Sequence, residues 1–469
     1  MTLRIGPSEL LARTGFFGLA AMIGLLAGYD PQVAVAMAAA IAFLVITFAD
    51  LRIGLALFVV AIFMETTAIV PGLGIAKVAG GALALSWLAR IITDPDSRRL
   101  IWIDYPGLTA LAVAFLAWST ISAVWSPLPG AAIDSSFRYL LSVAMLPIVY
   151  TAVRSPADMR MVIVAFVAGA SLTALMGVAS PPSSDGDLGR IASTIGDPNE
   201  LAATLAAGFV LAIGASFGAP PASLSRLLLR VAAGLCLLAI VLTLSRGGLV
   251  AVAAVGVIAP LLAKHRARAT AISLSCLAAA ALGFLAFAPA EAVERIQSRD
   301  GGSGRTDIWK VAGRMIEDKP VIGIGSGNFP TSSSDYVLQP GALPDKPDLI
   351  YKPSVAHNIY LEVWSEVGLV GLLLFGGVIF GCLGCAVLAT QRALARDDVK
   401  LAALAAGVSL ALVALFTAYF FLSEQHGNKL WLLLALGPAM LTIASRPPDG
   451  GAAAASGATV TGGAGAPGR

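Results

Sequence analysis

Residues 354–375 read SVAHNIYLEVWSEVGLVGLLLF, and this stretch joins polar chemistry to a long apolar run. A histidine, an asparagine, two glutamates and a tryptophan lie between residues 357 and 366, and the apolar run continues to about residue 390. A membrane-spanning helix needs roughly 20 mostly apolar residues, which this run exceeds. The stretch therefore predicts a spanning helix with reactive side chains at one end.

The rest of the chain is equally apolar. Its residues are 57% hydrophobic and 13% charged, with a mean hydropathy of +0.84, well beyond the composition of soluble domains. Apolar runs of spanning length recur at 13–28, 31–48, 52–70, 74–92, 106–125, 136–153, 158–178, 199–217, 226–244, 247–263, 270–288, 357–390, 401–422 and 428–445. We predict an all-α polytopic integral membrane protein with about 12–14 transmembrane helices and one long periplasmic loop that carries short amphipathic helices.

Basic residues alternate between the connections of these runs. The connections at 29–31, 65–72 and 125–130 carry no Lys or Arg, whereas their neighbours do. Under the positive-inside rule, both termini are cytoplasmic and the long connection 289–356 lies on the outer side. That connection holds eight basic and nine acidic residues, so its charge does not suit a nucleic acid.

The chain divides into four parts on this interpretation. They are N-terminal transmembrane helices at 1–178, a core at 179–390 that includes the periplasmic loop 289–356, C-terminal transmembrane helices at 391–445, and a tail at 446–469. The tail is rich in Gly, Ala and Pro and has almost no large apolar side chain. Because such a segment cannot bury enough surface to order itself, we expect cytoplasmic disorder there.

Three arginines on the predicted outer side are unusual. Arg246 lies between two apolar runs in LTLSRGGLVAV (242–252), where a cation is costly and indicates a function beside an anion, with snorkelling to the headgroups as the alternative. Arg305 begins the amphipathic pattern of 304–320, which we expect to lie on the membrane surface. A cation at a helix start opposes the helix dipole, so helix stabilisation does not explain it, and a solvated surface arginine is the alternative. Arg190 lies in the preceding outer loop.

Two other patterns have structural explanations. Asp197, Pro198 and Glu200 predict a helix start, with an N-cap, an N1 proline and a glutamate that reaches back to the N-cap amide. The glycines of GIGSGNF (323–329) lack a surrounding βαβ unit, so they predict a tight turn rather than a nucleotide-binding loop.

His357 lies at the polar end of the quoted stretch. On a straight helix Gly368 and Gly371 fall within about 40° of it, which predicts a face for close helix packing. Glu362 and Glu366 point away and would repel each other, so we expect them to meet cations or hydroxyl groups of another helix. A histidine can accept a proton near neutral pH, and arginines hold a diphosphate bidentately. A structural hydrogen-bonding histidine remains the alternative.

These motifs together resemble the O-antigen ligase and polymerase family of bacterial envelope glycosyltransferases, over about residues 180–390. The residues that carry the resemblance are His357, Asn358, Gly368 and Gly371 in the pattern H-N-x9-G-x-x-G, SRGG around Arg246, RTDIW around Arg305, and IGDPN at 195–199.

The resemblance implies a multi-pass glycosyltransferase of the bacterial inner membrane with its active site on the periplasmic face. It would take a glycan from undecaprenyl diphosphate, without a cofactor or metal ion, and pass it to lipid A-core or a growing polysaccharide. His357 would be the general base. Arg246 and Arg305 would bind the donor diphosphate, with Arg190 as a further candidate, and the transfer would invert the anomeric centre. Asn358, Gly368 and Gly371 would support the site.

Several alternatives stay open. A ligase is favoured slightly over a polymerase that builds O-antigen or exopolysaccharide, and a protein-directed oligosaccharyltransferase is disfavoured because no additional soluble outer domain is present. A polysaccharide transporter or flippase is the rival from another class, although no convincing repeat supports it. A structural scaffold would need none of these residues. Because no carboxylates of the outer loops show metal-ligand spacing, we expect chelators to leave activity intact.

Overall fold

The structure is a computed structural model that describes residues 20–64, 68–70, 73–93, 100–179, 190–287, 305–339 and 354–446. These residues are almost entirely helical, apart from a short antiparallel hairpin of β1 (Ala68–Val70) and β2 (Leu73–Gly74). The predicted all-α fold class is confirmed. The tail, for which we predicted disorder, lies outside the described residues apart from Arg446.

Eighteen helices are described, together with the short 3-10 turns Ser122–Val124, Ser193–Ile195 and Tyr419–Phe421. The first nine are α1 (Ala20–Tyr29), α2 (Pro31–Ala49), α3 (Leu51–Ala61), α4 (Ile75–Thr93), α5 (Ile101–Asp104), α6 (Pro106–Ile121), α7 (Pro129–Val143), α8 (Met145–Ala152) and α9 (Pro156–Ala179). The others are α10 (Pro198–Gly218), α11 (Leu224–Leu242), α12 (Arg246–Leu262), α13 (Arg266–Phe287), α14 (Arg305–Asp318), α15 (Phe329–Val337), α16 (Ile359–Ala395), α17 (Val399–Ala418) and α18 (Asn428–Ser445).

Among the described residues, ten helical segments are long and apolar enough to cross a membrane, with α7 and α8 counted as one segment. Four shorter apolar helices accompany them: α1, α2 from Val33, α3 and α12. The chain is therefore a multi-pass membrane protein. The division into domains at 178 and 390 stays a prediction, and its second boundary lies inside α16.

The centre of the bundle is formed by α10, α17 and α18, which are the most completely buried spanning helices. α10 packs on α17 at a point where both backbones carry glycine. A Cβ atom added to Gly214 would lie 2.7 Å from the carbonyl oxygen of Ala403 and 3.1 Å from Cα of Gly407. Small residues let helices approach closely and so gain dispersion contacts in place of a hydrophobic driving force.

The long helix α16 is interrupted at Gly368, which has φ +68° and ψ −173°. The segment 320–325 lies beside this break and bonds to the backbone groups that the missing turn leaves unpaired. Leu369 N donates to Pro320 O at 2.9 Å, and Ile324 N donates to Ser365 O at 2.9 Å. The prediction of a straight helix with Gly368 on the same face as His357 is therefore wrong from residue 368 onward. Gly371, by contrast, does allow close packing, because an added Cβ would lie 3.2 Å from Trp118 on α6.

The connection between α13 and α16 carries α14 and α15, as short helices were predicted there. The apolar face of α14 is buried against protein, with Ile308, Val311, Ala312 and Met315 in a small cluster of their own. The expected surface helix does exist, but its apolar side faces the protein core rather than lipid. The glycines of 323–329 form turns, as predicted, with positive φ at Gly323, Gly325 and Gly327.

The two ends of the bundle differ in character. We call the end at which α10, α12 and α16 begin the loop end, because the α13–α16 connection packs there. The other end, which we call the basic end, holds the Arg- and Lys-rich connections of the sequence, among them Arg154, Arg226 and Arg396. Arg396 and Arg446 donate hydrogen bonds to carbonyl oxygens at this end.

Candidate active site

The turn IGDPN at 195–199 organises one wall of a polar site at the loop end. Asp197 caps α10 by accepting from Asn199 N at 2.6 Å and Glu200 N at 3.1 Å, as the capping pattern predicts. The Glu200 side chain, expected to reach back to the cap, forms an ion pair with buried Lys429 at 2.9 Å. The turn is thereby tied to the start of α18.

Asn199 positions two further residues of this wall. Its Oδ1 atom accepts from Arg190 Nη2 at 3.0 Å and from Ser245 Oγ at 2.9 Å. Arg190 Nε also donates to the carbonyl oxygen of Thr243 at 2.8 Å. Arg190 is thus held beside the turn that leads into α12, although fifty residues separate the two segments in sequence.

Arg246 is the first residue of α12 and is exposed. Ser245 caps this helix by accepting from Gly248 N at 3.3 Å. The preceding residue, Leu244, has φ +50°, a left-handed conformation that is uncommon for a large side chain. The SRGG sequence therefore forms a sharp, capped turn that presents the arginine at a helix N-terminus.

Arg305 is the first residue of α14, and its guanidinium lies over the ring of Phe421 with 5.8 Å from Cζ to the ring centroid. Phe421 also contacts Gly247, so the starts of α12 and α14 are neighbours. Burial lowers the pKa of Arg305, and the charges of Arg190 and Arg246 lower it further, while Asp197 acts in the opposite direction. Within the described part of the chain, Arg305 forms no hydrogen bond or ion pair.

His357 lies just before α16 and has φ +48°. The flanking backbone holds this conformation in place: Ala356 N donates to Glu362 Oε2 at 2.9 Å, and Trp309 Nε1 donates to Ala356 O at 3.1 Å. A non-glycine residue in this conformation costs of order 1–3 kcal/mol and persists only where its surroundings hold it, and such residues cluster at functional sites.

The imidazole of His357 is half-buried and lies close enough to Arg305 for the charge of Arg305 to act on it. Its pKa is lowered, first by burial and then by the positive charge of Arg305, and Asp197 partly offsets both. The lowered pKa favours the neutral imidazole, which is the form that can accept a proton. No described residue forms a hydrogen bond with the ring, so both nitrogen atoms are available to another molecule.

Four helix N-termini meet at this site. α10, α12, α14 and α16 begin beside it. Arg305 is close enough to Asp197, Arg190 and Arg246 for their charges to shift its pKa, and the charges of Arg305 and Asp197 shift the pKa of His357. Helix N-termini carry unpaired N–H groups and partial positive charge, so they favour anions. Added to three arginines, this arrangement can bind a polyanion at a place where a neutral base is also present.

The predicted supporting residues take structural positions. Asn358 is 5% exposed and caps α16 by accepting from Tyr360 N at 3.0 Å and Leu361 N at 3.1 Å. Gly368 forms the helix break, and Gly371 packs on Trp118. These three residues determine where α16 begins and how it lies, and so where His357 is held.

Glu362 and Glu366 are both buried, at 2% exposure each. Glu362 accepts hydrogen bonds from the hydroxyl of Ser423 and from Gln425 Nε2. The first of these is a contact with a hydroxyl group, as expected. Glu366 accepts instead from a backbone amide, Phe329 N, at 3.1 Å. In the described ranges, no group of three or more His, Cys, Asp or Glu residues has the geometry of a metal site.

The contacts of some residues of the site are not predictable from the sequence. Asn199 is explained from sequence as part of a capped turn, and its two side-chain contacts are made across the fold. Phe421 is one aromatic residue among many in an apolar run, and only the fold places its ring under Arg305. Glu362 is visible as a polar residue in an apolar segment, but its bond to the backbone beside His357 is not predictable from a wheel.

The fold and this site define a polytopic all-α membrane protein that gathers cationic and hydrogen-bonding side chains at one end of its helices. Residues 231–376 match the family model described as O-antigen ligase. This match covers less than half of the chain; it supports membership of the O-antigen ligase family and a glycan-transferring membrane enzyme of the ligase or polymerase type. The matched segment contains Arg246, Arg305 and His357 but not Arg190. No curated protein matches the chain.

Proposed function

We propose that this chain transfers a glycan from undecaprenyl diphosphate to an acceptor hydroxyl, with His357 as the general base and Arg246, Arg305 and Arg190 as the diphosphate-binding residues. The observation that carries the proposal is the meeting of three arginines and a neutral imidazole at four helix N-termini. The family match supports lipid-linked polysaccharide as the substrate class.

The donor diphosphate accounts for the charges. Arg305 is partly desolvated and without a carboxylate partner among the described residues, which is unfavourable unless an anion binds there. Guanidinium groups match phosphate oxygens bidentately and stay charged at any physiological pH. In the reaction they stabilise the negative charge that grows on the departing diphosphate, a contribution typical of preorganised donors.

The imidazole accounts for the proton. His357 accepts the proton of the acceptor hydroxyl while that oxygen forms a bond to the anomeric carbon of the glycan. The bond from the anomeric carbon to the diphosphate oxygen breaks, and undecaprenyl diphosphate leaves with the electron pair. A single attack from the opposite side inverts the anomeric centre. The lowered pKa of His357 keeps the base neutral, and general bases contribute about 10²–10⁴ to the rate.

We place the loop end on the periplasmic face of the bacterial inner membrane and both termini in the cytoplasm. The Arg- and Lys-rich connections lie at the basic end, opposite to the proposed site, and such connections favour the cytoplasm. A lipid-linked glycan on the outer leaflet would then reach the arginines from the membrane.

A metal ion is not part of the proposal, because guanidinium groups and helix N-termini supply the positive charge. We expect transfer to proceed at the same rate after EDTA treatment and dialysis as before. Loss of transfer in EDTA and recovery with magnesium or manganese would contradict this and would point to ligands in the parts of the loop outside the described residues.

The acceptor distinguishes a ligase from a polymerase. We propose lipid A-core, in line with the description of the matching family, and a growing lipid-linked chain is the alternative. A transporter is less compatible with the fold, because the unusual cations gather at one end of the helices rather than at mid-depth.

Purified protein and a His357→Ala variant would be given a lipid-diphosphate oligosaccharide, with and without lipid A-core, and the products separated on a gel. Transfer only after addition of lipid A-core supports the ligase. Longer lipid-linked chains from donor alone would make the protein a polymerase. A His357→Ala variant as active as wild type, or no product under either condition, would contradict the proposed catalytic site.

A further inference from the structure

A second binding feature lies at the basic end, away from the arginine and histidine site. It is a cavity of about 420 Å³ between α10, α12, α13 and α17, with an apolar interior. The volume is within the range of roughly 300–1,000 Å³ that small-molecule sites have. Its lining includes small residues of the surrounding helices, among them Gly214, Gly256 and Ala259.

The mouth of this cavity is basic. Arg226, Arg230, Lys264, His265 and Arg268 line it, and no lining residue in the described part of the chain is acidic. Arg226 bonds to the carbonyl oxygens of Ser216 and Ala219, and Lys264 pairs with Asp397 at 2.7 Å. Arg230 and Arg268 are exposed, and neither has a carboxylate or hydrogen-bond partner among the described residues. The guanidinium of Arg268 lies over the ring of Phe217.

The depth of the cavity matches one membrane leaflet. Along α12 its lining runs from Leu262 at the mouth to Val252, which is about 15 Å at 1.5 Å per residue. The hydrocarbon core of a bilayer is about 30 Å thick, so the cavity ends near the middle of the membrane. It therefore suits the acyl chain of a lipid from the leaflet at the basic end, and its lining does not extend to Arg246.

We propose that this cavity binds an anionic phospholipid, with one acyl chain between α10, α12, α13 and α17 and the phosphate between Arg230 and Arg268. Basic pockets between transmembrane helices recognise anionic headgroups in this way. α13, the outer wall of the cavity, is the least buried spanning helix, so a bound chain fills space that neighbouring helices leave open. The bound lipid belongs to the leaflet opposite to the proposed glycan donor.

The test uses the full-length purified protein, delipidated in detergent and titrated with phosphatidylglycerol or with phosphatidylcholine of identical acyl chains. Bound lipid is counted by native mass spectrometry. We expect tighter binding of phosphatidylglycerol, weakened about fivefold for each charge removed in Arg230→Gln and Arg268→Gln. Arg266→Gln is the matched control, because Arg266 is exposed two residues away and does not line the cavity. It should bind like wild type.

A second variant tests the apolar part of the site. Ala259→Phe places a ring in the cavity and leaves the basic mouth intact, so it should weaken binding of both lipids. Equal binding of the two lipids by wild type, or equal loss in Arg268→Gln and Arg266→Gln, would overturn the proposal in favour of non-specific attraction to basic residues. A polyprenyl phosphate that displaces phosphatidylglycerol from wild type but not from Ala259→Phe would also overturn it, by making the cavity a site for the donor's tail.

Discussion

The surroundings of His357 and His426 differ, although both histidines lie at the loop end and Glu362 contacts the segment of each. His426 stacks on Tyr139 with 4.0 Å between ring centroids, and its Nε2 lies 3.4 Å from Ser135 Oγ. Its Nδ1 atom is buried and has no hydrogen-bond partner among the described residues. His357 has φ +48° and a ring to which no described residue forms a hydrogen bond, and the charges that act on it are those of Arg305 and Asp197.

The difference separates a packed histidine from the one that we propose as the general base. Burial lowers the pKa of His426 to about 3, so this ring stays neutral at all physiological pH values and serves as a packing group. The pKa of His357 is lowered too, but Arg305 contributes to the effect, and a bound anion would reduce that contribution. Substrate binding can therefore tune the basicity of His357 and leaves that of His426 unchanged.

The largest effect is expected when the imidazole of His357 is replaced, with replacement of the His426 ring as the control. His357→Gln keeps polarity but removes the base, and we expect transfer to fall about 10²–10⁴-fold with the thermal midpoint little changed. His426→Phe keeps an aromatic ring beside Tyr139 and should retain transfer, because the buried Nδ1 atom has no bond to lose and the only side-chain hydrogen bond given up among the described residues is the long one of 3.4 Å between Nε2 and Ser135. Initial rates of glycan transfer and melting curves in detergent measure both. Equal loss of transfer in the two variants would remove the distinction.

Substitution of Arg305 tests the positive charge near His357. Arg305→Gln removes a charge that is proposed to stabilise the leaving diphosphate, and we expect transfer to fall about 10²–10³-fold. Arg305→Lys keeps the charge but loses bidentate geometry, so its rate should lie between those of Arg305→Gln and wild type. Lys310→Gln, which breaks an exposed ion pair with Asp307 on the same helix, is the control and should transfer normally. A fully active Arg305→Gln would remove this residue from the donor site.

The sequence predicts the fold class and several of the residues that lie near His357. The basic connections, the isolated Arg246 and the H-N-x9-G-x-x-G pattern are local signals, and they predict that the arginines and His357 lie at the same end of the helices. The fold class follows from hydrophobic run lengths, since the bilayer requires them.

The rest depends on contacts between distant segments. Gly368 resembles a packing residue in a continuous helix because periodicity cannot reveal a break whose bonds are made by residues 320–325. His426 gives no sign of its stacking on Tyr139, because almost three hundred residues separate them. The position of Asn199 between Arg190 and Ser245 likewise arises only from the fold. Side-chain partners of this kind are set by tertiary packing, which local patterns do not encode.

The helix break at Gly368 helps to hold the surroundings of His426. The segment beside the break leads to Ser326, whose hydroxyl lies 2.8 Å from that of Ser135, the residue next to His426. In Gly368→Ala, the new Cβ would lie 2.1 Å from Val321 O in a backbone with φ +68°. We expect a loss of stability of at least about 1–3 kcal/mol, seen as a lower melting temperature. Gly384→Ala in the same helix meets no atom within 4 Å and should stabilise by about 0.5–1 kcal/mol. A Gly368→Ala protein that melts like wild type would show that α16 can close the break.

The smallest effect expected is a shift in the pH dependence of kcat/KM. The neutral form of His357 is the proposed base, so activity is lost as pH falls through its pKa in the folded protein. That pKa lies below the ordinary value of 6.5, so the acid limb should lie below pH 6.5. Asp197 raises the pKa, so Asp197→Asn, which can still cap α10, should move the limb to lower pH. The pKa of His426 is too low to contribute between pH 5 and 8. If the acid limb moves in His426→Phe but not in Asp197→Asn, the group that titrates is His426. That result would contradict His357 as the general base.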